Sequence, residues 1–238
     1  GMQPIQQGFS GHVPTLLKEK YPNAAILMQK GWCLYPKTAQ LDPLDKLFLD
    51  FGRVFLEKTE KLIGNYHYIA CDPFHENKPP IKGDKYLQNV GKAISEMYTA
   101  FDSQAVWVMQ AWSLREPIVK AVDKDKLLIL DIDGSKCEKT NGFWGYNFIS
   151  GTLNNFGDRN TLHGSIDALA ENKFMEEREK YPNIVGTGLF MEGIFQNPLY
   201  FDLASDMLTR SDKPELDSWL KDYARRRYGS DEACLFEA

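Results

Sequence analysis

Short apolar runs alternate with longer amphipathic stretches along this chain. The runs predict six β-strands, at residues 4–9, 66–71, 105–110, 127–131, 146–150 and 184–188. A seventh run, at residues 24–28, is too short for its periodicity to distinguish a strand from a helix. Polar and aromatic residues follow each run, so the strand ends are where chemistry is expected.

Between the runs lie stretches with the periodicity of surface helices. In residues 44–62, Leu44, Leu47, Phe51 and Phe55 recur at spacings of three and four, which places them on one helical face. Similar patterns predict helices at residues 86–100, 168–181, 199–209 and 216–228. Strands that alternate with helices indicate a parallel sheet.

Two of the strand runs, at residues 105–109 and 127–130, are apolar throughout, as expected of strands buried on both faces. Polar clusters follow them, as in enzymes whose active sites lie at the carboxyl ends of barrel strands. The pattern therefore favours a TIM-type (β/α)8 barrel. With 238 residues, the chain is close to the roughly 250 residues of one such barrel.

Composition indicates a soluble globular protein. Hydrophobic residues make up 43% and aromatic residues 13%, and no apolar run reaches the roughly 18 residues of a membrane-spanning helix. The net charge of −5 offers no general attraction for nucleic acid. The only basic run, Arg225-Arg226-Arg227, is typical of a solvated helix face. The four cysteines form no C-x-x-C pair, so they could be buried thiols or disulfides.

Several familiar motifs are absent. His75-Glu76 lacks the second histidine of H-E-x-x-H, because Pro79 stands there. The four histidines share no helical spacing, so no metal site is predicted. Gly186-Thr187-Gly188 is not followed by the third glycine of a dinucleotide-binding loop, since that position is Met191.

Two glutamates remain at predicted strand ends, Glu76 and Glu192, each among aromatic residues. A carboxyl in a partly apolar mouth can act as an acid, while an ionised one can attack as a nucleophile. Retaining glycosidases need such a pair, roughly 5–5.5 Å apart. The 33 acidic residues offer many other pairs, however, and a glutamate after a strand often serves only to start a helix.

Longer motifs favour the catalytic interpretation of Glu76 and Glu192 over a role in starting helices. The sequence resembles glycoside hydrolase family 89, the α-N-acetylglucosaminidases, through eight collinear motifs. They are Gly8-Phe9-Ser10-Gly11-His12-Val13-Pro14, Leu41-Asp42-Pro43-Leu44-Asp45-Lys46-Leu47-Phe48, Asp72-Pro73-Phe74-His75-Glu76, Ala105-Val106-Trp107-Val108-Met109-Gln110-Ala111-Trp112, Leu127-Leu128-Ile129-Leu130-Asp131, Leu153-Asn154-Asn155-Phe156-Gly157, Gly186-Thr187-Gly188-Leu189-Phe190-Met191-Glu192-Gly193 and Tyr223-Ala224-Arg225-Arg226-Arg227-Tyr228-Gly229.

The resemblance implies roles for particular residues. Glu76 matches the general acid/base and Glu192 the nucleophile of a retaining double displacement, which needs no metal or other cofactor. Four further positions match the pocket for the terminal sugar: Trp32, His75, Trp112 and Leu153. The implied substrates are glycans, including glycosaminoglycan-type chains, that end in α-linked N-acetylglucosamine. Family members of this kind are secreted, periplasmic or lysosomal.

The resemblance also implies an incomplete domain. The family's enzymes are longer, so we expect residues 1–210 to hold only the later six or seven barrel strands and residues 211–238 to begin a C-terminal helical region. Other domains of a longer chain, or a second copy, would have to complete the barrel. Departures from the family pattern at Ser150 and at Gly157-Asp158-Arg159-Asn160 bear on the aglycone side of the site. The missing strands and the second departure leave open a non-catalytic sugar-binding or structural remnant, and a barrel glycosidase for another sugar is a further alternative.

Overall fold

The computed structural model describes residues 2–31, 34–64, 66–75, 77–156 and 164–229. They form two compact units. The first comprises residues 1–130 and 145–147, and the second comprises residues 131–144 and 148–238.

The regular elements of the described residues, in chain order, are nine strands and eight α-helices. The strands are β1 Ile5–Gln7, β2 His12–Val13, β3 Ile26–Met28, β4 Ala39–Leu41, β5 Tyr68–Ala70, β6 Val106–Gln110, β7 Leu127–Asp131, β8 Phe148–Leu153 and β9 Ile184–Phe190. The helices are α1 Leu17–Lys20, α2 Lys46–Ile63, α3 Asp84–Phe101, α4 Glu116–Val119, α5 Ile166–Ala170, α6 Lys173–Lys180, α7 Pro198–Met207 and α8 Leu216–Tyr228.

All six predicted strands are present, and their pairings within each unit are parallel. The first unit holds β1, β5, β6 and β7, paired in that order. The second unit pairs β8 with β9. Because parallel neighbours end at the same edge, the residues that follow β1, β5 and β6 meet on one side of the first unit.

The doubtful seventh strand is real but belongs to a different sheet. β3 pairs antiparallel with β4, which also pairs antiparallel with β2. β3 is therefore not one of the parallel strands, so six of the expected six or seven are present among the described residues. β2 and β4 have only two and three residues, too few for a periodic signal.

The helix predicted at residues 168–181 is interrupted. α5 ends at Ala170, and Asn172 adopts a left-handed conformation with φ of 53° before α6 begins. The Asn172 side chain accepts from the N–H of Met175 and donates to the carbonyl oxygen of Asp212, 2.9 Å away. The apolar periodicity of the sequence continues through Asn172, but the contact of Asn172 with Asp212 stabilises a break in the helix.

The core of the first unit centres on Trp107, which is 1% exposed. Its indole N–H donates to the carbonyl oxygen of Cys71 over 2.7 Å, and its ring lies edge-on to Tyr98. The strand β6 is thereby tied to the end of β5 and to α3.

The second unit has its own core, formed by α5, α6, α7 and α8. Its buried members include Phe174, Leu203, Met207 and Trp219. Trp219 on α8 also donates from its indole nitrogen to Asp206 on α7, over 2.9 Å. The proposed division between residues 210 and 211 stays a prediction, and α8 packs with the helices that precede it.

The basic run and two of the four cysteines lie within the described residues. Arg225, Arg226 and Arg227 lie exposed in the last turn of α8, where positive charge suits the helix dipole. Cys71 and Cys137 are buried free thiols, while Cys33 and Cys234 lie outside the described residues. Within the described part of the chain, no helix is both long and apolar enough to cross a membrane.

Helices α3 and α4 approach each other closely at Gly91. A methyl group at this position would lie 2.6 Å from the backbone carbonyl oxygen of Ile118, a group that cannot move aside as a flexible side chain can. We expect Gly91→Ala to lower the free energy of unfolding by about 1–3 kcal/mol through overpacking. Lys92→Ala, at the exposed neighbour, should stay within about 0.5 kcal/mol of wild type. Urea titration of both variants checks this, and equal stabilities would contradict the close packing.

Asp131, the last residue of β7, is a buried carboxylate in the second unit. It is fully buried and accepts from the backbone N–H of Cys137 over 3.0 Å. Burial raises its pKa from 3.8 to about 6, against the opposing effects of the N–H groups of Cys137 and Lys136. Between about pH 4 and pH 6, the Asp131 carboxyl is therefore protonated in the folded state and ionised in the unfolded chain.

A pKa that is higher in the folded state stabilises the fold at low pH, and this contribution is lost as the pH rises from about 4 through 6. At about 1.4 kcal/mol per pKa unit, the loss is about 3 kcal/mol. Asp131→Asn cannot titrate, so its stability relative to wild type should rise by about this amount between pH 4 and pH 7. Urea titrations across that range test this, with the exposed Asp125→Asn as control. Parallel curves for wild type and Asp131→Asn would contradict the assigned pKa.

Candidate functional site

A polar cavity of about 230 Å³ opens in the first unit where β1, β5 and β6 end. Parallel pairing brings these strand ends to one edge, so segments far apart in sequence supply its walls. The lining residues are Gln7, Ser10, His12, Asp72, His75 and Gln110.

Hydrogen bonds hold three of the cavity's side chains in place. Ser10 Oγ lies 3.0 Å from His12 Nδ1. Asp72 Oδ1 accepts from the backbone N–H of Gln110 over 2.9 Å, which joins the end of β5 to the end of β6. Burial raises the pKa of Asp72, partly offset by that N–H and by the nearby His75. Burial and the proximity of His75 lower the pKa of His12.

His75, predicted to bind substrate, is one of the cavity's lining residues. Its Nδ1 atom is buried and has no hydrogen-bond partner among the described residues. Such an orphaned atom costs free energy unless a ligand or water satisfies it. His75 thus brings to the cavity wall an imidazole with one nitrogen that no described residue satisfies.

Trp112, the second predicted sugar-binding residue in this unit, lies beyond β6. It occupies a short 3-10 helix, Ala111–Ser113, and is 53% exposed. It lines a cleft of about 300 Å³ together with Ser113, Leu114 and Arg115, separate from the cavity that contains His75. An exposed indole face is a flat apolar surface of the kind that packs against a sugar ring.

Glu192 and Leu153 both lie in the second unit, near the ends of β9 and β8. Leu153, half-buried, pairs in register with Phe190. Glu192 is exposed two residues after β9, and its backbone N–H donates to the carbonyl oxygen of Asn155 over 2.9 Å. The two predicted residues are thus brought to adjacent strand ends.

Two asparagines beside them have unused hydrogen-bonding atoms. Asn154 and Asn155 are each 3% exposed, yet Asn154 Oδ1 and Asn155 Nδ2 have no hydrogen-bond partner within the described part of the chain. A methyl group at Gly193 would come within 2.3 Å of the Asn155 side-chain oxygen, so a larger residue here would displace the Asn155 amide.

Ser150, one of the departures from the family pattern, forms a hydrogen bond to a helix that covers the strand. Its hydroxyl donates a short hydrogen bond to Glu177 on α6, and the Thr152 hydroxyl contacts the hydroxyl of Tyr200 on α7. Side chains alternate along a strand, so Leu153 faces the side opposite to these two. Ser150 joins β8 to its covering helix rather than lining the face that Leu153 presents.

Glu76 and Trp32 lie outside the described residues, as does the departure at residues 157–160. The roles of Glu76 as acid/base and of Trp32 as a sugar platform therefore stay predictions. No group of three or more metal-ligating side chains occurs among the residues that the structure describes.

Sequence reasoning missed several residues of these sites. His12, Asp72 and Gln110 all belong to motifs that carry the resemblance, and each stands at or just after a strand end, which is a signal that could have identified them. Asn155 belongs to such a motif too. Arg115, which lines the cleft beside Trp112, belongs to none, and its contacts with the backbone carbonyls of Phe74 and Asn77 leave no trace in the sequence.

Taken separately, the two units present groups suited to a polar, ring-shaped ligand. The first offers hydrogen-bonding side chains at a cavity and an exposed indole nearby; the second offers an exposed carboxylate beside amide groups. This is the chemistry of carbohydrate recognition, in which hydroxyls find donors and acceptors and the ring face finds an apolar surface.

Comparison with known proteins agrees with this chemistry. Residues 1–211 match the TIM-barrel domain of the alpha-N-acetylglucosaminidase (NAGLU) family. The human alpha-N-acetylglucosaminidase is 32% identical over 250 residues, which cover 96% of this chain but only 33% of the human protein. The chain thus spans about a third of the length of this relative.

Solved structures of a family 89 glycoside hydrolase from Clostridium perfringens share the fold. The complex with 2-acetamido-1,2-dideoxynojirmycin superposes with a TM-score of 0.87 at 28% identity, covering 98% of this chain and 27% of that one. A doubly substituted form of the Clostridium enzyme, in complex with its substrate GlcNAc-alpha-1,4-galactose, superposes with a TM-score of 0.87 at 27% identity, with the same coverage of both chains. The predicted TIM-type barrel, present in part, is confirmed. The chain belongs to the alpha-N-acetylglucosaminidase family, glycoside hydrolase family 89, and holds part of that family's TIM-barrel domain.

Proposed function

We propose that the protein carrying this chain is a retaining glycoside hydrolase that removes terminal α-linked N-acetylglucosamine from glycans. The similarity to the Clostridium perfringens enzyme carries the proposal, because that enzyme was captured with GlcNAc-alpha-1,4-galactose after two glutamates were changed to glutamine. Those two glutamates lie almost as far apart along that chain as Glu76 and Glu192 do along this one.

In the proposed mechanism the two carboxyl groups divide the work. Glu192 attacks the anomeric carbon while Glu76 protonates the departing glycosidic oxygen, which forms a glycosyl-enzyme ester and releases the rest of the glycan. Glu76 then takes a proton from water as that water displaces Glu192. Two inversions at the anomeric carbon give net retention.

The described residues support the binding part of this proposal. His75 would offer its orphaned Nδ1 to a hydroxyl or acetamido group, and the Trp112 indole would pack against the apolar face of a sugar. Trp32 and Leu153 are the other two residues to which the family resemblance gives a sugar-binding role. Further domains of a longer chain, or a second copy, would supply the remaining walls.

Substitution of each glutamate tests the roles in the full-length protein. On an aryl α-N-acetylglucosaminide, we expect Glu192→Gln to lose at least about 10³-fold in kcat with any leaving group, since no nucleophile remains. Glu76→Gln should lose about 10²–10⁴-fold with a poor leaving group and much less with an activated one. Azide should partly rescue Glu76→Gln by forming a glycosyl azide without general-base help.

Glu179→Gln, at an exposed position on α6, provides a matched control and should retain wild-type rates. Turnover that survives both active-site substitutions would refute the assignment. Saturable binding of N-acetylglucosamine-terminated glycans without hydrolysis by the wild type would instead favour a binding protein. Hydrolysis of glucosides or galactosides in preference to N-acetylglucosaminides would favour a glycosidase for another sugar.

A further inference from the structure

The segment that carries Glu192 lies between the end of β9 and the start of α7, at residues 191–197, outside regular secondary structure. Its apolar side chains Met191, Ile194 and Phe195 are exposed, so their burial does not hold the segment in place. Contacts from the adjacent part of the second unit must therefore fix the backbone that carries the proposed nucleophile.

Asn155 binds this segment through its main chain. The last register pair of β8 and β9 joins Leu153 to Phe190. Two residues further along each strand, the Glu192 N–H donates to the Asn155 carbonyl oxygen over 2.9 Å. The backbone at Glu192 is thereby held to the chain that leaves β8.

The side chain of Asn155 contacts the next residue of the segment, Gly193. A methyl group at Gly193 would lie 2.3 Å from Oδ1 and 2.8 Å from both Cγ and Nδ2 of Asn155. All three amide atoms are close to the same point, so the face of the amide covers the α-carbon of Gly193. Asn155 thus holds two successive residues, Glu192 with its carbonyl oxygen and Gly193 with its side chain.

Gln196 holds the segment from its other end. Its Nε2 atom donates a short hydrogen bond to the carbonyl oxygen of Gly193. The following residue, Asn197, accepts from the N–H of Tyr200 over 3.3 Å and starts α7. Gly193 is therefore held by two side-chain amides, and Glu192 directly precedes it.

The Asn155 amide is not explained by the stability of the fold. The side chain is buried, and its Nδ2 atom has no hydrogen-bond partner in the part of the chain that the structure describes. A buried donor without a partner costs free energy, and an apolar side chain of the same shape would avoid that cost. An amide retained against this cost, in contact with the segment of a proposed catalytic carboxyl group, indicates a role in function.

We propose that Asn155 is a positioning residue for Glu192, because its carbonyl oxygen and its amide together fix the backbone from which the carboxyl group extends. A misplacement of about 1 Å can cost a reacting group about 10²-fold in rate. The inference rests on the proposed role of Glu192 as the nucleophile, and it assigns no contact between Asn155 and the substrate.

Kinetics with two leaving groups test this role in the full-length protein. Nucleophilic attack is required with any leaving group, whereas protonation matters mainly for a poor one. We expect Asn155→Ala to lower kcat/KM about 10–100-fold on both a dinitrophenyl and a methoxyphenyl α-N-acetylglucosaminide. The inhibition constant of N-acetylglucosamine, which reports binding without reaction, should change less than about 3-fold.

A second substitution tests the contact itself. The methyl group of Gly193→Ala displaces the Asn155 amide, so this variant should also lose kcat/KM on both substrates. In the double variant Asn155→Ala/Gly193→Ala, the methyl group occupies space that the amide has left. The double variant should therefore lose no more than the worse of the two single variants, whereas independent effects would multiply.

Asn23→Ala, at an exposed turn of the first unit, is the matched control and should change neither rate. Thermal midpoints of all variants identify any that fail to fold. Asn155→Ser, which also removes the amide but keeps a polar side chain, supplies the comparison if Asn155→Ala fails to fold.

Three results with an active wild type would overturn the role of Asn155 and leave the proposed function intact. They are an unchanged kcat/KM or a loss confined to the poor leaving group, a loss matched by weaker binding of N-acetylglucosamine, and single losses that multiply in the double variant. A wild type that hydrolyses neither substrate, or a Glu192→Gln variant with wild-type rates, would overturn the proposed function and this role with it.

Discussion

The structure depends on how backbone groups are satisfied where parallel strands end. At such an edge the ladder of hydrogen bonds stops while the chain is still partly buried, and each unpaired N–H or C=O carries a cost. Here side chains supply the missing partners. Asp72 accepts from Gln110, Asp131 accepts from Cys137, and Arg115 donates to Asn77.

These contacts have consequences for chemistry, because the same loops carry the proposed functional groups. A loop held by buried polar side chains has few conformations, so the His75 imidazole that it carries is held in place. Burial of these carboxyl groups disfavours their ionised forms. It raises the pKa of Asp72, and it raises the pKa of Asp131 to about 6. Preorganisation of this kind is what a two-carboxylate mechanism requires.

The sequence predicted the parallel strands well, since runs such as β6 and β7 are apolar throughout and read as strands buried on both faces. It failed where pairing is antiparallel and short, as at β3, and where a side chain from a distant segment stabilises a break, as at Asn172. The roles of Glu192 and His75 are predictions from motifs, since spacing alone cannot select these residues from the other acidic and polar ones. Arg115 could not be identified, because backbone carbonyls have no sequence signature.

The central claim is that Glu192 forms a covalent bond to the sugar during turnover. A fluorinated N-acetylglucosaminyl fluoride that forms this ester rapidly and hydrolyses it slowly would trap the intermediate for peptide mass spectrometry. The account predicts one added glycosyl group per chain, located on the peptide that contains Glu192 and lost when excess acceptor permits turnover. A label on another residue, or turnover with no covalent species and with inversion at the anomeric carbon, would contradict it.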